Sequence, residues 1–452
     1  MSQRVLVLGG GIAGTAAAIA LARRGHPVTV VERDPPPADP AADPFLHWPR
    51  RGVPQFRLPH GFSARARNLL LRHAPDVLAR LRANGVEEMN LFKRLIPAER
   101  WVPADDTFTN VWARRAVFEL ALRLTAEEEP GVEFRCPAVA NGLRFDWTSA
   151  GPRVAAVRLA DGDLLTADVV LDCLGQRSPV SRWLAAEGVR VPTEVQDCET
   201  VYYSRYFRFT EACELPRTSV ATLRGEFADG WFIGFPGDHD TYAFSFECHP
   251  DNRTARALRH TSIWEAVARG IPALAPWVDP ANGTPLEGVQ VMAGNRSLRR
   301  RYVVDGRPVV LGLLSAGDSL CASNPAYGWG SAMALTYAFA AAGAVSAGGG
   351  DPVATALAYD AATGREADAV YRESAAMDRA RIYRITGQPV PDEDKAEMAR
   401  QDLISAALSN GVLHDLELGR AFNRRVNLVG PADAVLDGTD LLNHATRLHT
   451  PA

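Results

Sequence analysis

The sequence is nearly without lysine: Lys93 and Lys395 are the only two. Its 49 basic residues are otherwise arginine, and against 53 acidic ones they leave a formal charge of −4. No cationic surplus is available to displace counterions from phosphates, so a nucleic-acid partner is not expected. Cysteine is scarce as well. The six thiols at Cys136, Cys173, Cys198, Cys213, Cys248 and Cys321 form no C-x-x-C pair, and no histidine cluster stands at metal-ligand spacing. This excludes a small disulfide scaffold, gives no metal site, and points to reduced thiols in a cytoplasmic protein. Long hydrophobic runs are also missing. Residues 332–345 are alanine-rich and fall short of the ~20 apolar residues that span a bilayer, and the first residues lack the form of a signal peptide. Neither a membrane span nor export is expected.

What remains is an ordinary globular composition, 47% hydrophobic over 452 residues, enough for two or three domains. Residues 4–8 are an apolar run with two β-branched valines, followed by Gly9-Gly10-Gly11-Ile12-Ala13-Gly14, an alanine- and leucine-rich helical stretch to about residue 24, and a second apolar run, 28–31, ending at Glu32-Arg33. This reads as strand, turn, helix, strand, the opening of a dinucleotide-binding unit. Gly9 allows the tight turn, Gly11 lets backbone approach a pyrophosphate, and Gly14 lets helix and strand pack closely. The helix start at Ile12 and Ala13 offers unpaired N–H groups to anionic oxygens. Glu32, 18 residues after Gly14, stands where an acidic side chain accepts from ribose hydroxyls.

Downstream, the proline-rich stretch 34–49 is irregular, residues 62–83 read as basic helix, and 154–159 with 165–171 read as a hairpin-like strand pair around Asp161-Gly162. Aromatic and polar residues intermix over 202–247, as in antiparallel strands of a second sheet. A buried strand at 309–314 leads to Gly317-Asp318 and another alanine-rich helix from about Gly330. From 351 onward the chain is helical and charged.

The N-terminal turn, the strand ending in Asp172-Cys173-Leu174-Gly175 and the late Gly317-Asp318 together resemble the glutathione-reductase-type FAD fold. Gly317-Asp318-Ser319 followed by Asn324-Pro325-Ala326-Tyr327-Gly328-Trp329-Gly330 resembles the signature of FAD-dependent monooxygenases, G-D and then N-P-x-x-G-x-G. Arg50-Arg51-Gly52-Val53-Pro54-Gln55, with His60 after it, is similar to the R-x-G-V-P-Q stretch of bacterial flavin epoxidases and hydroxylases of natural-product biosynthesis. Arg115 matches the arginine that contacts the FAD phosphates or ribose in many flavin hydroxylases. The likeness covers about the first 210 residues and again about 300–345.

The resemblance implies an α/β fold: a discontinuous Rossmann-like FAD-binding domain from 1–180 and 300–350, an inserted antiparallel-sheet substrate domain at 181–299, and a helical C-terminal region at 351–452. It implies FAD held by Gly9, Gly11, Ile12, Ala13, Gly14, Glu32, Arg33, Arg50, Arg51, Gln55, Arg115, Gly317, Asp318, Pro325, Gly328 and Gly330. It further implies a monooxygenase passing one oxygen of O2 from a C4a-hydroperoxyflavin to an apolar aromatic or polyene substrate, by hydroxylation or epoxidation. His60, Tyr203, Trp231, Ile233 and Phe244 are the candidate substrate contacts; no catalytic residue is assigned. On one strand Trp231 and Ile233 share a face, and only one face can line a pocket. Hydroxylases of this kind commonly carry Asp-Gly where this chain has Leu174-Gly175, so electrons come either from NAD(P)H bound in another way or from a separate flavin reductase. Two other chemistries fit the same fold. Residues 231–236 are similar to the W-x-W-x-I-P strand of flavin halogenases but lack its second tryptophan, and an FAD-dependent reductase or dehydrogenase acting on carbon-carbon bonds would need no O2.

Overall fold

The computed structural model describes residues 2–411, 415–439 and 441–443, with backbone only for 406–411. The end of the expected helical tail, 444–452, lies outside the described residues.

Five parallel strands form the first sheet, in the order Leu313–Ser315, Val169–Asp172, β1 (Val5–Leu8), β2 (Val28–Val31) and Val132–Arg135. Every residue of β1 and of Val169–Asp172 is buried, as continuous apolar runs require when both faces of a parallel sheet are covered. Helix α1 (Ile12–Ala22) follows β1 and is buried from Ile12 to Leu21. Its small side chains let it lie close to both the sheet and the helix Gly330–Gly348, and all three share one apolar core. Gly330–Gly348, with a mean hydropathy of 1.3, is the one helix among the described residues long and apolar enough to cross a membrane, and here it packs into that core.

Three expected elements are divided. Residues 165–171 are not one strand: Leu164–Thr166 pairs with Gly151–Leu159, which pairs with Ala140–Thr148, whereas Val169–Asp172 enters the parallel sheet. The chain turns between them at Asp168, whose carboxylate accepts from the Arg4 N–H at 2.8 Å. The strand expected over 309–314 is shorter, Leu313–Ser315, because Gly312 adopts φ +69°, outside the extended region. The helix expected over 62–83 is two helices, Ala64–His73 and Pro75–Ala83, broken at Ala74 since a residue before proline is pushed out of helical geometry.

The second sheet is antiparallel, in the order Arg224–Phe227, Gly230–Pro236, Thr241–Cys248, Val201–Phe209, Gly283–Pro285, with Gln290–Ala293 also pairing to Val201–Phe209. Its register sorts the aromatic residues. Tyr203, Phe246 and Phe232 lie opposite one another, as do Phe207, Tyr242 and Pro236. The five aromatic rings among them belong to an apolar core closed by Trp264 of the helix Thr261–Gly270. Residues one step along each strand take the other face, which meets the first domain through Phe45 against Tyr206, 5.0 Å between ring centroids, and Trp112 near Phe235.

Candidate functional site

At the end of β1 the chain turns at Gly9, which has φ +98° and where a Cβ would stand 2.7 Å from the Cys173 carbonyl oxygen. A Cβ on Gly14 would overlap the Gly9 carbonyl, while one on Gly11 would meet nothing within 4 Å. The three glycines therefore do different things: two make room for protein, and Gly11 faces open space. Helix α1 starts there with no side-chain cap and no acidic residue in its first turn, so its N-terminal dipole is uncompensated by protein.

Glu32, 5% exposed, accepts from Gly10 N–H at 2.7 Å through Oε2 and from Asp34 N–H at 2.8 Å through Oε1. Arg50 fills the space beside it. Its Nη2 donates to the Gly10 carbonyl at 3.1 Å and lies 3.4 Å from both Glu32 and Glu119, while Nε and Nη1 are buried without a hydrogen-bond partner. Arg51 is exposed and offers the site no guanidinium; its carbonyl accepts from Arg33, itself exposed. The structure thus brings Arg50 to the turn and leaves Arg33 and Arg51 on the surface. Gln55 is only partly buried, and its carbonyl accepts from Leu58 N–H at 3.1 Å.

Gly317 (φ +68°) sets the Gly-Asp turn against the start of α1, with the position of its Cβ 2.9 Å from that of Ala13. The turn is tied to the central strand, since Ala316 N–H and Ser319 Oγ both donate to the Asp172 carbonyl, at 2.9 and 2.6 Å. Asp318 is left with a carboxylate that takes no hydrogen bond from any described residue. Burial raises its pKa, and nearby Arg115 pulls the other way. Such a group needs hydroxyl or N–H donors from outside the protein. Past it, Pro325, Ala326 and Gly328 are exposed, Gly328 has φ +70°, and the helix Gly330–Gly348 begins without a side-chain cap. Two helix starts without side-chain caps and the Asp318 carboxylate thus lie together: a Cβ on Gly317 would stand 2.9 Å from that of Ala13, and one on Gly330 4.0 Å from Asp318 Oδ1.

Arg115 donates to Glu119 at 2.6 Å and, 3.3 Å away, to His60 Nε2. His60 Nδ1 is 2.9 Å from the Leu58 carbonyl and must carry the proton, which leaves Nε2 to accept. Burial, then the Arg115 charge, lowers the His60 pKa to about 3 against the opposing Leu58 bond, so the ring is neutral and occupied on both nitrogens. It orients Arg115 and is not a free base.

Trp231 and Ile233 lie on the sheet face toward the first domain and are 49% and 39% exposed. Tyr203 and Phe244 do not join them. They sit on the opposite face, in the core under Trp264, because the strand alternation that puts Ser204 and Ser245 on the face toward the first domain turns these two rings away. Asp172 is unavailable to a cofactor too: fully buried, it accepts from Leu174 N–H and Ser178 Oγ at 3.0 and 2.7 Å, and burial raises its pKa to about 6.

Sequence reasoning missed a second network. Asn324, fully buried, donates to Asp378 on the helix Pro352–Thr386 at 2.6 Å and accepts from Tyr202 Oη at 2.8 Å; Tyr327 Oη donates to the same Asp378 oxygen at 2.9 Å. It also missed Arg114, which is clamped between Asp43 and Asp238. The i, i+3 spacing of Asp378 and Arg381 was visible, but nothing in the sequence says what such a helix face meets.

An FAD-dependent oxidoreductase family model matches residues 4–43. The kynurenine 3-monooxygenase of Salinispora arenicola is 29% identical over 191 residues, which span 39% of this chain and 37% of that protein. Among solved structures, Pseudomonas aeruginosa PqsL in complex with 2-aminobenzoylacetate aligns with a TM-score of 0.60 at 18% identity, covering 84% of this chain and 96% of that one. The flavin-dependent brominase Bmp2 aligns at 0.63 and 17%, covering 99% and 100%, and 2-methyl-3-hydroxypyridine-5-carboxylic acid oxygenase at 0.56 and 17%, covering 84% and 92%. The chain shares its fold with these FAD-dependent proteins, as the motifs imply, and the uncapped helix starts, the open Gly11 and the Asp318 carboxylate fit FAD.

Proposed function

We propose that this chain is a flavin-dependent monooxygenase that places one oxygen atom of O2 on an aromatic or alkene carbon and releases the other as water, with two electrons from NAD(P)H or from a reductase. The reading is carried by the aromatic sheet face that packs toward the first domain, Tyr206 on Phe45 and Phe235 near Trp112, and bonds through Tyr202 to Asn324 of the loop after Gly317-Asp318. Bound FAD supplies the redox chemistry and the activation of O2. The protein's own work is to hold and exclude. The start of α1 and Arg115 stand ready for phosphate oxygens, Asp318 and Glu32 for hydroxyls, and the start of Gly330–Gly348 for negative charge that builds on the reduced ring. Phe235 and Tyr206 keep water from the inner end of the sheet face, and Trp231 and Ile233 form its open end.

A halogenase shares the fold, yet that family's resemblance calls for a lysine at the reacting centre. Both lysines are on surface ion pairs, Lys93 with Asp106 and Lys395 with Asp392. The test is turnover of a panel of phenols, anilines and polyenes under 18O2 with bromide present, and with NADH, NADPH or a flavin reductase as the electron source. The proposal expects one labelled oxygen in the product; turnover under strict anaerobiosis, or brominated product without label, contradicts it.

A further inference from the structure

The sheet face that looks into the cleft changes character along its strands. Its inner row is apolar, with Phe235, Ala243 and Tyr206 in register; the middle row pairs Ser204 with Ser245 at 2.8 Å between hydroxyl oxygens; the outer row sets Trp231, Glu247, Tyr202 and Met292 side by side. Against that outer row stands the helix Pro352–Thr386 with Asp378 and Arg381. The Arg381 guanidinium is turned to backbone and to Asp378: it donates to the Cys198 carbonyl, reaches Glu199 O at 3.5 Å and lies 3.4 Å from Asp378, while its Nε is buried without a partner. Asp378 is fully buried, with the Cys198 thiol beside it. Oδ1 takes Asn324, Tyr327 and Arg381, and Oδ2 takes nothing.

Glu247 is the remaining member, and its carboxylate accepts from no described residue. Two carboxylates therefore share one guanidinium that is already engaged elsewhere. Burial raises the pKa of Glu247, the Arg381 charge lowers it, and Asp378 raises it again; Asp378 is raised by burial as well. Asp378 is closed off by its burial, so Glu247, only partly buried, is the acid that a cation from outside can reach, and such a cation offsets the surplus negative charge of the pair. It also adjoins the loop that carries Asn324 and Tyr327, next to the start of the helix Gly330–Gly348.

We propose that Glu247, backed by Asp378 and Tyr327, receives a protonated amine at one end of an aromatic substrate whose ring lies along Trp231 and Ile233. The proposal rests on the monooxygenase reading only for the statement that the bound molecule is the substrate. It narrows the apolar class expected from the sequence to an amphipathic one, a ring with an ammonium tail.

The test uses the full chain loaded with FAD and three probes that differ only in the tail: tyramine, 4-ethylphenol and 3-(4-hydroxyphenyl)propionate. Binding is read from the change in flavin absorbance and from tryptophan fluorescence, without reductant, so the result does not depend on turnover. Tyramine is expected to bind at least tenfold more tightly than either other probe, about 1.4 kcal/mol. Glu247→Gln, checked for retained FAD, is expected to bring that ratio to within about twofold. A preference for the propionate, equal affinities, or no tyramine binding at about 1 mM overturns the proposal. The ranking on the unaltered protein decides by itself should the variant not fold. Failure of labelled oxygen to enter any product, with the amine preference intact, would overturn the monooxygenase reading and leave this site standing.

Discussion

The two halves of the cleft are made of different material. The cofactor side is built from backbone: Gly9, Gly11 and Gly14, two helix starts, and one turn at Gly317 held by the central strand. The proposed substrate side is built from side chains on strand and helix faces brought from 201–248, 290–293 and 378–381. The first kind of site depends on short-range conformation, so its tolerance for change is low at a few positions. The second depends on which face a residue takes, and neighbours one step apart on a strand have opposite fates.

Substitutions on the two sides have different consequences. Gly14→Val is expected to have the largest effect. The new side chain would collide with the Gly9 carbonyl, which cannot move without opening β1 from α1, and overpacking of about 3 kcal/mol or more should appear as loss of soluble protein or of all bound FAD. Next is Phe244→Ala. Because this ring is 0% exposed and packed away from the cleft, unfolding in urea should show a loss of about 3 to 5 kcal/mol, with the flavin spectrum of the folded fraction unchanged. Had Phe244 lined the pocket, the spectrum would shift and stability would not.

His60 gives a third, pH-dependent expectation. Its folded pKa near 3 lies below its ordinary 6.5, so the stability it contributes is present above pH 6.5 and is lost as pH falls toward 3. The loss approaches about 1.4 kcal/mol per pH unit, or about 2 kcal/mol by pH 5. Unfolding curves at pH 7 and pH 5 should show that difference in the parent chain and much less of it in His60→Gln. The smallest effect belongs to Trp231→Ala. On the open face this change should alter stability by no more than about 0.5 kcal/mol and show itself in KM, with kcat far less affected.

The same contrast explains what was legible. The β1, α1, β2 unit and the Gly317-Asp318 turn were readable because glycine spacing reports directly on backbone geometry, and the structure has Gly9, Gly11 and Gly14 at the turn after β1, Glu32 bonded to it at Gly10, and Gly317 packed against the start of α1. The choice between Arg50 and Arg51 was not, since adjacent residues in an irregular stretch carry no periodicity, and only packing against Glu32 and Glu119 selects Arg50. Tyr203 and Phe244 looked equal to Trp231 because an aromatic strand is apolar on both faces here, and the helix Thr261–Gly270 decides which face becomes core. Asp378 and Arg381 were hidden in a charged tail whose partners outside the helix lie 51 residues and more away in sequence, as with Tyr327.

We propose that backbone at the two helix starts, with Asp318 and Glu32, holds FAD. The direct measurement is the FAD dissociation constant, by equilibrium dialysis of apoprotein, for the parent chain, Asp318→Ala and Glu32→Ala. Loss of a hydrogen bond to a charged group, about 1.5 to 3 kcal/mol, predicts at least tenfold weaker binding in each variant with the fold retained by circular dichroism. Full yellow cofactor at unchanged affinity in both would contradict the account.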